Sequence, residues 1–339
     1  MHTSKHTHHF LRRVAPTVVA LAALTGPATA AADPSHVDGV RAVVKHGTLD
    51  VNGGDRANTV ALRLAAGDGS VVQVDVGDDG TADFSFARSG IDAIRVAMGD
   101  GDDFVRIDDA NGAFTNAIPT TISGGDGNDI LRGGLGAETF RSGDGSDFVA
   151  GGKGNDTAYL GDGSDVFLWD PGDASDVVEG QGGTDRMLFN GAAGAESFTM
   201  TANGPRLTFF RSPGNVTMDT AGVEIVDLNA LGGADNVTVN DLSGTDVTRT
   251  NVDLAGTLGG NAGDGAIDTV TVNGTDGDDN IAVTGGATDV GITGLASEVG
   301  LKHADPADRL LVNTLAGTDN VAVSGVAGLI QAFVDGIAV

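Results

Sequence analysis

Between Gly124 and Leu188 polar and apolar positions return with a nine-residue period. Cut at that period, the stretch reads GGDGNDILR, GGLGAETFR, SGDGSDFVA, GGKGNDTAY and LGDGSDVFL. Trp169 and Asp170 then stand as an insertion, before PGDASDVVE and GQGGTDRML. The eighth position is Leu131, Phe140, Val149, Ala158, Phe167, Val178 and Met187, and the sixth is Asp129, Glu138, Asp147, Asp156, Asp165, Asp176 and Asp185. Six residues rich in Gly, Asp, Asn and Ser favour a tight turn, because Gly accepts positive φ and Asn or Asp side chains bond their own backbone. The next three make a short strand whose middle residue points inward. If successive nonapeptides turn alternately left and right, the chain coils with eighteen residues per full turn and the strands stack in parallel about 4.8 Å apart. Asp129, Asp147 and Asp165 then stack on one edge, with Asp185 as the last rung, and Glu138, Asp156 and Asp176 stack on the other.

Carboxylates stacked so closely repel by roughly 4 kcal/mol at an effective dielectric of 20, so a cation is expected between them. The site offers carboxylate and main-chain carbonyl oxygens, while the chain has no Cys and this stretch no His, which argues against soft or borderline metals. An ion midway between two coils would lie about 2.4 Å from each level, in the range of calcium–oxygen bonds rather than the shorter magnesium distance. The expected metal ligands are Asp129, Asp147, Asp156, Asp165, Asp176 and Asp185, and the expected ion is calcium.

These residues resemble the repeats-in-toxin family, the hemolysin-type calcium-binding repeat with consensus GGxGxDxUx, where U is a large apolar residue. The resemblance implies a parallel β-roll in which each GGxGxD loop shares a calcium ion with the loop one coil away. Glu138, Ser142, Leu160 and Pro171 depart from the consensus. A Gly/Asp-rich linker would not keep an apolar eighth position.

Outside the repeats, short apolar runs broken by Gly, Asp and Asn continue from Leu49 onward, the pattern of short strands and turns with few helices. DRMLFNGAAGAESFTM at Asp185 to Met200 aligns on DTVTVNGTDGDDNIAV at Asp268 to Val283. LNALGGADNVTV at Leu228 to Val239 aligns on VNTLAGTDNVAV at Val312 to Val323. A looser third copy runs from VNGGDRANTVAL at Val51 to AMGDGDDFVRI at Ala97. Each repeat can bury its apolar face only against a neighbour, so the expected fold is all-β: a parallel β-roll, or β-solenoid, of calcium-binding nonapeptides flanked by duplicated strand-rich modules. Asp103, in GDGDDFV, fits the nonapeptide pattern and is a further metal candidate. Asp235, Asp279 and Asp319 hold the corresponding place in the long repeats, but no partner follows eighteen residues away, which leaves turn capping as the alternative.

The expected organisation is a signal peptide over 1–30, a linker over 31–48, a strand-rich module over 49–122, the roll over 123–188, and strand-rich modules over 189–267 and 268–339. The first segment has a basic start with Lys5, Arg12 and Arg13, an apolar stretch from Val14 to Leu24 and a small-residue cleavage site at Ala28-Thr29-Ala30. That apolar stretch is too short to span a bilayer, so no membrane span is expected, and the expected location is secreted and extracellular. The chain has a formal charge of −28, which repels nucleic acid and anionic membranes. With no Cys there is no disulfide to staple a secreted fold.

No H-E-x-x-H, G-x-S-x-G or phosphate loop occurs, and the three His beyond the leader, His36, His46 and His303, are far apart in sequence. The expected function is therefore non-enzymatic: a calcium-binding structural, adhesive or surface-binding protein, with a cell surface or polysaccharide as partner. The alternative is a calcium-dependent extracellular polysaccharide lyase, in which an Arg or Lys takes a proton from a uronate. Arg132, Arg141, Lys153 and Arg186 are the basic residues of the roll, and a groove lined by Arg or Lys would favour that reading.

Overall fold

The eighth-position side chains of the nonapeptides form two inward columns, and these fix the architecture. The computed structural model describes residues 36–339; the signal peptide read over 1–30 lies outside them. The strands form one sheet of 16 and one of 14, and the chain steps alternately between them. In the 16-stranded sheet Glu138–Gly145 pairs in parallel with Thr157–Gly163, and that strand with Val177–Gly183. In the 14-stranded sheet Ile130–Arg132 pairs with Phe148–Ala150, and that strand with Val166–Trp169. Leu131 faces Val149, then Phe167 and Met187, on one sheet; Phe140, Ala158 and Val178 stand in line on the other. All seven are fully buried. Burying a Leu, Val, Phe or Met side chain stabilises by about 1.5–3 kcal/mol, so the column, repeated each half coil, drives the winding.

The turns set how closely coils approach. In the 16-stranded sheet pairing continues into the turn, with Gly143 opposite Gly161 and Asp144 opposite Asp162. Gly143 has φ 117°, and a Cβ there would stand 2.0 Å from the Gly125 carbonyl oxygen, so only glycine meets both demands.

The flanking modules keep the two-sheet plan but replace one strand by a meander of three antiparallel strands. In the first long repeat Ser197–Asn203, Arg206–Ser212 and Val216–Ala221 lie in the 16-stranded sheet. In the second, Asn280–Gly285, Asp289–Thr293 and Glu298–Lys302 lie in the 14-stranded sheet. The looser copy also has one, Thr59–Ala65, Asp68–Val76 and Phe84–Ala87. Equivalent sequences thus fall on opposite sheets, because an odd number of crossings separates Arg186–Asn190 from Thr269–Asn273. Trp169 and Phe189 stack at 4.0 Å where the roll meets the first meander, with Phe209 4.5 Å from Phe189.

Part of the stretch read as a linker over 31–48 is sheet instead. Val40–Lys45 pairs with Thr48–Asn52 across the turn at His46 and Gly47, and the alternation in Val40 and Ala42 puts both side chains in the core. One hydrophobic core runs from Val40 to Ala332. Among the described residues the helices are two 3-10 turns, Arg88–Gly90 and Asp109–Asn111, and no helix is long and apolar enough to cross a membrane.

Candidate metal centre

Each sixth-position aspartate accepts from the backbone of the coil before it, whereas Glu138 takes the Gly134 N–H of its own turn on Oε2 at 2.9 Å. On the edge where the chain leaves the 16-stranded sheet, the Asp103 N–H donates to Asp129 Oδ1 at 2.8 Å and the Asp129 N–H to Asp147 Oδ1 at 2.7 Å. The Asp147 N–H then donates to Asp165 Oδ1 at 2.8 Å and the Asp165 N–H to Asp185 Oδ1 at 3.0 Å. On the opposite edge the Glu138 N–H donates to Asp156 Oδ1 at 2.7 Å and the Asp156 N–H to Asp176 Oδ1 at 2.8 Å. The seven candidates therefore stand in two ladders, with Asp103 at the foot of the first. Asp185 is not the last rung: its own N–H donates to Glu224 Oε2 at 2.7 Å, because the turn after the first meander rejoins the stack.

These bonds use only one oxygen of each carboxylate. The second oxygen of Asp103, Asp129, Asp147, Asp156, Asp165 and Asp185 is buried with no partner, as is Glu138 Oε1. A bare buried carboxylate oxygen costs several kcal/mol unless a proton or cation meets it. Burial, above all, drives the carboxyl pKa values upward: Asp103, Asp129 and Asp147 to about 6, Asp176 and Asp185 to about 7 and Asp156 to about 9. Asp165 is raised by the same cause. Neighbouring acids add to the rise at Asp129 and Asp147, where the next rungs are Asp147 and Asp165.

Main-chain oxygens complete the donor set. A Cβ placed on Gly124 would lie 1.9 Å from Asp129 Oδ2 and 2.7 Å from the carbonyl oxygen of Ser142, one coil on. On Gly180 it would lie 1.7 Å from the Gly222 carbonyl oxygen and 2.6 Å from Asp185 Oδ2. The first glycine of the turn thus leaves a small cradle where a carboxylate and a carbonyl converge. Among the described residues no three acidic, His or Cys side chains form a cluster by themselves, so an ion here takes carbonyl oxygens as well, as hard cations do. The residues fit calcium: oxygen ligands only, bare and buried.

The ladders extend beyond the nonapeptides. On the second edge the Glu196 N–H donates to Asp235 Oδ1 at 2.8 Å, the Asp235 N–H to Asp268 Oδ1 at 2.7 Å and the Asp268 N–H to Asp308 Oδ1 at 2.9 Å. The Asp279 N–H donates to Asp319 Oδ1 at 2.9 Å. No partner lies eighteen residues from Asp235, Asp279 and Asp319, but each has a stacking partner 33 to 40 residues away, because a meander or long loop is spliced between coils. Asp279 does cap its turn, taking the Thr275 N–H at 2.8 Å and the Thr275 hydroxyl at 2.9 Å. Asp235 Oδ2 stays bare. At Glu196 the charge is met internally, since Arg211 forms an ion pair with Oε1 while lying 5.1 Å above the Trp169 ring. Sequence reasoning passed over Asn58, Glu196, Glu224, Asp268 and Asp308. The signal that finds them is a polar residue two places before a buried apolar one, as in Glu224-Ile225-Val226 and Asp308-Arg309-Leu310.

The basic residues of the roll are dispersed. Arg132 lies 5.7 Å from the Phe148 ring on one sheet, and Arg141 lies 4.6 Å from the Tyr159 ring on the other. On the outer face of the 14-stranded sheet, Gly291 opposite Gly300 leaves a shallow trough of about 190 Å³ beside Arg249 and Lys302. It continues into one of about 150 Å³ lined by Arg186, Asp227 and Asp253. Arg186 pairs with Asp227, and Arg249 with Glu298 at 2.9 Å.

Residues 120–149 and 141–168 match the family model of the RTX calcium-binding nonapeptide repeat. No curated protein and no solved structure matches the chain. The chain therefore carries RTX-type calcium-binding repeats, and calcium is the ion they bind.

Proposed function

We propose that this is a secreted, extracellular protein with no enzymatic activity, in which calcium completes the fold and the solenoid surface serves a structural, adhesive or surface-binding role. The observation that carries the reading is the run of bare buried oxygens on Asp129, Asp147, Asp156, Asp165 and Asp185 beside a family match to calcium-binding repeats. In this reading Asp129, Asp147, Asp165 and Asp185 hold ions along one edge, Asp156 and Asp176 along the other, and Asp103 extends the first. Each carboxylate keeps one oxygen on the neighbouring coil and turns the other to the ion. The leader-like residues 1–30 support secretion, into a medium where calcium modules with dissociation constants of about 10⁻⁴ to 10⁻³ M are filled. Equilibrium dialysis against calcium tests the reading: several ions bound per chain support it, and none bound overturns it.

A second reading, the calcium-dependent lyase, is favoured by the trough that Arg186, Arg249 and Lys302 line. Against it, both arginines are tied to carboxylates. An Arg held in an ion pair is a poor base, and Lys302, without an ion pair among the described residues, is left as the base. Incubation with uronate polymers and calcium separates the two: unsaturated product supports the lyase, and bound but uncleaved polymer supports adhesion.

A further inference from the structure

We infer that the ion column of the first edge reaches one coil below Asp103, into a further calcium site built from the turns 53–58 and 98–103, with the neutral side chain of Asn58 as one ligand. The inference rests on the calcium reading proposed above. It concerns residues outside the matched repeats, 120–168.

The turn Gly53-Gly54-Asp55-Arg56-Ala57-Asn58 has the outline of a GGxGxD loop with Asn in the sixth place and Arg in the fourth. It nevertheless stacks as the nonapeptides do. The Asn58 N–H donates to Asp103 Oδ1 at 2.6 Å, as the Asp103 N–H does to Asp129, and the Phe104 N–H donates to the Asn58 carbonyl at 2.8 Å, as the Ile130 N–H does to that of Asp103. A Cβ on Gly99 would stand 2.4 Å from the Gly54 carbonyl oxygen, close to the 2.0 Å found for Gly125 over Gly99. The coil spacing that serves the repeats therefore continues.

The cradle continues with it. A Cβ on Gly53 would lie 2.2 Å from the Met98 carbonyl oxygen and 2.6 Å from Asn58 Oδ1, matching the pair of oxygens that Gly124 leaves open. Asn58 is 7% exposed and its Oδ1 has no partner; Asp103 is 2% exposed and its Oδ2 has none. The amide is oriented by its other end, since Nδ2 donates to the Asp38 carbonyl at 3.2 Å. An amide oxygen and a carbonyl oxygen thus face one space without a hydrogen between them, with a bare carboxylate oxygen on the rung above. Such an all-oxygen set suits calcium, and with one carboxylate fewer than a site between two aspartates it fills later in a titration.

Calcium titration of the full chain by isothermal calorimetry, with ion counting by native mass spectrometry, tests this. Asn58→Leu, which removes the oxygen at similar volume, and Gly53→Ala, which fills the cradle, are each expected to bind one ion fewer than the parent. Asn58→Asp is expected to keep the count and tighten the weakest class about tenfold, through the added charge. A parent count in both loss variants, with an unchanged Asn58→Asp titration, overturns the inference and leaves the central sites intact. If the loss variants do not fold, Asn58→Asp decides alone: tightening supports the site and an unchanged titration overturns it. A parent that binds no calcium removes the reading on which this rests.

Discussion

A carboxylate with one oxygen on a neighbouring N–H and the other buried bare needs either a proton or a metal, and that choice makes the roll sensitive to pH. Burial raises Asp129 and Asp147 to about 6, Asp185 to about 7 and Asp156 to about 9, all above the usual unfolded value near 3.9. A group whose folded pKa is raised favours folding fully below its unfolded pKa and loses that contribution as pH rises through the folded value. Metal-stripped protein should therefore melt at progressively lower temperature from pH 5 to pH 9, and the slope should flatten in saturating calcium, where the cation has replaced the proton. Thermal melts by circular dichroism check this; a melting temperature that rises with pH without metal would contradict it. The inner rungs make a second expectation. Since Asp185 has Asp165 on one side and Glu224 on the other, Asp185→Ala should weaken calcium binding about as much as Asp147→Ala in isothermal titration. A much smaller loss at Asp185 would restore it to the end of the column.

Among the elements, the nonapeptide strand was legible because its period writes the buried column directly into the sequence. Phe140 is fully buried and Thr139 beside it half-buried, so Phe140→Ala should cost about 3–5 kcal/mol and Thr139→Ala under about 1 kcal/mol in urea unfolding with calcium present. Equal losses would place the repeat in the wrong phase. The ladder positions Asp129, Asp147 and Asp165 were legible for the same reason, but Glu224 and the stacking partner of Asp235 were not, since a meander between two coils breaks the eighteen-residue spacing without breaking the stack. Arg211 was hidden too: fifteen residues beyond Glu196, it meets that carboxylate only because the strands Ser197–Asn203 and Arg206–Ser212 fold back antiparallel. Removing it alone strands a buried charge, so Arg211→Met should destabilise by about 3–5 kcal/mol, and Glu196→Gln in the same chain should recover much of the loss. Additive losses in the double variant would show that the two side chains do not act as a pair.

Across the whole molecule, charge is handled in two ways. In the modules some buried acids are met by the chain's own side chains, Glu196 by Arg211 and Asp75 by Arg63 at 2.5 Å, while Asp103 and Asp235 keep a bare oxygen as the rungs of the roll do. The roll has no such cation on its ladders and relies on an ion from outside. Each site filled at tenfold its dissociation constant stabilises by roughly 1.4 kcal/mol, so a few sites rival the usual 5–15 kcal/mol stability of a domain. Trp169 reports on this directly: it is the one tryptophan of the chain, fully buried where the roll joins the first meander and stacked on Phe189. The decisive measurement is its fluorescence emission as calcium is added to metal-stripped protein at neutral pH. Calcium-completed folding predicts a red-shifted, solvent-exposed emission that moves to the blue at millimolar calcium and responds little to magnesium. An emission already characteristic of a buried indole, and unmoved by calcium, would contradict it.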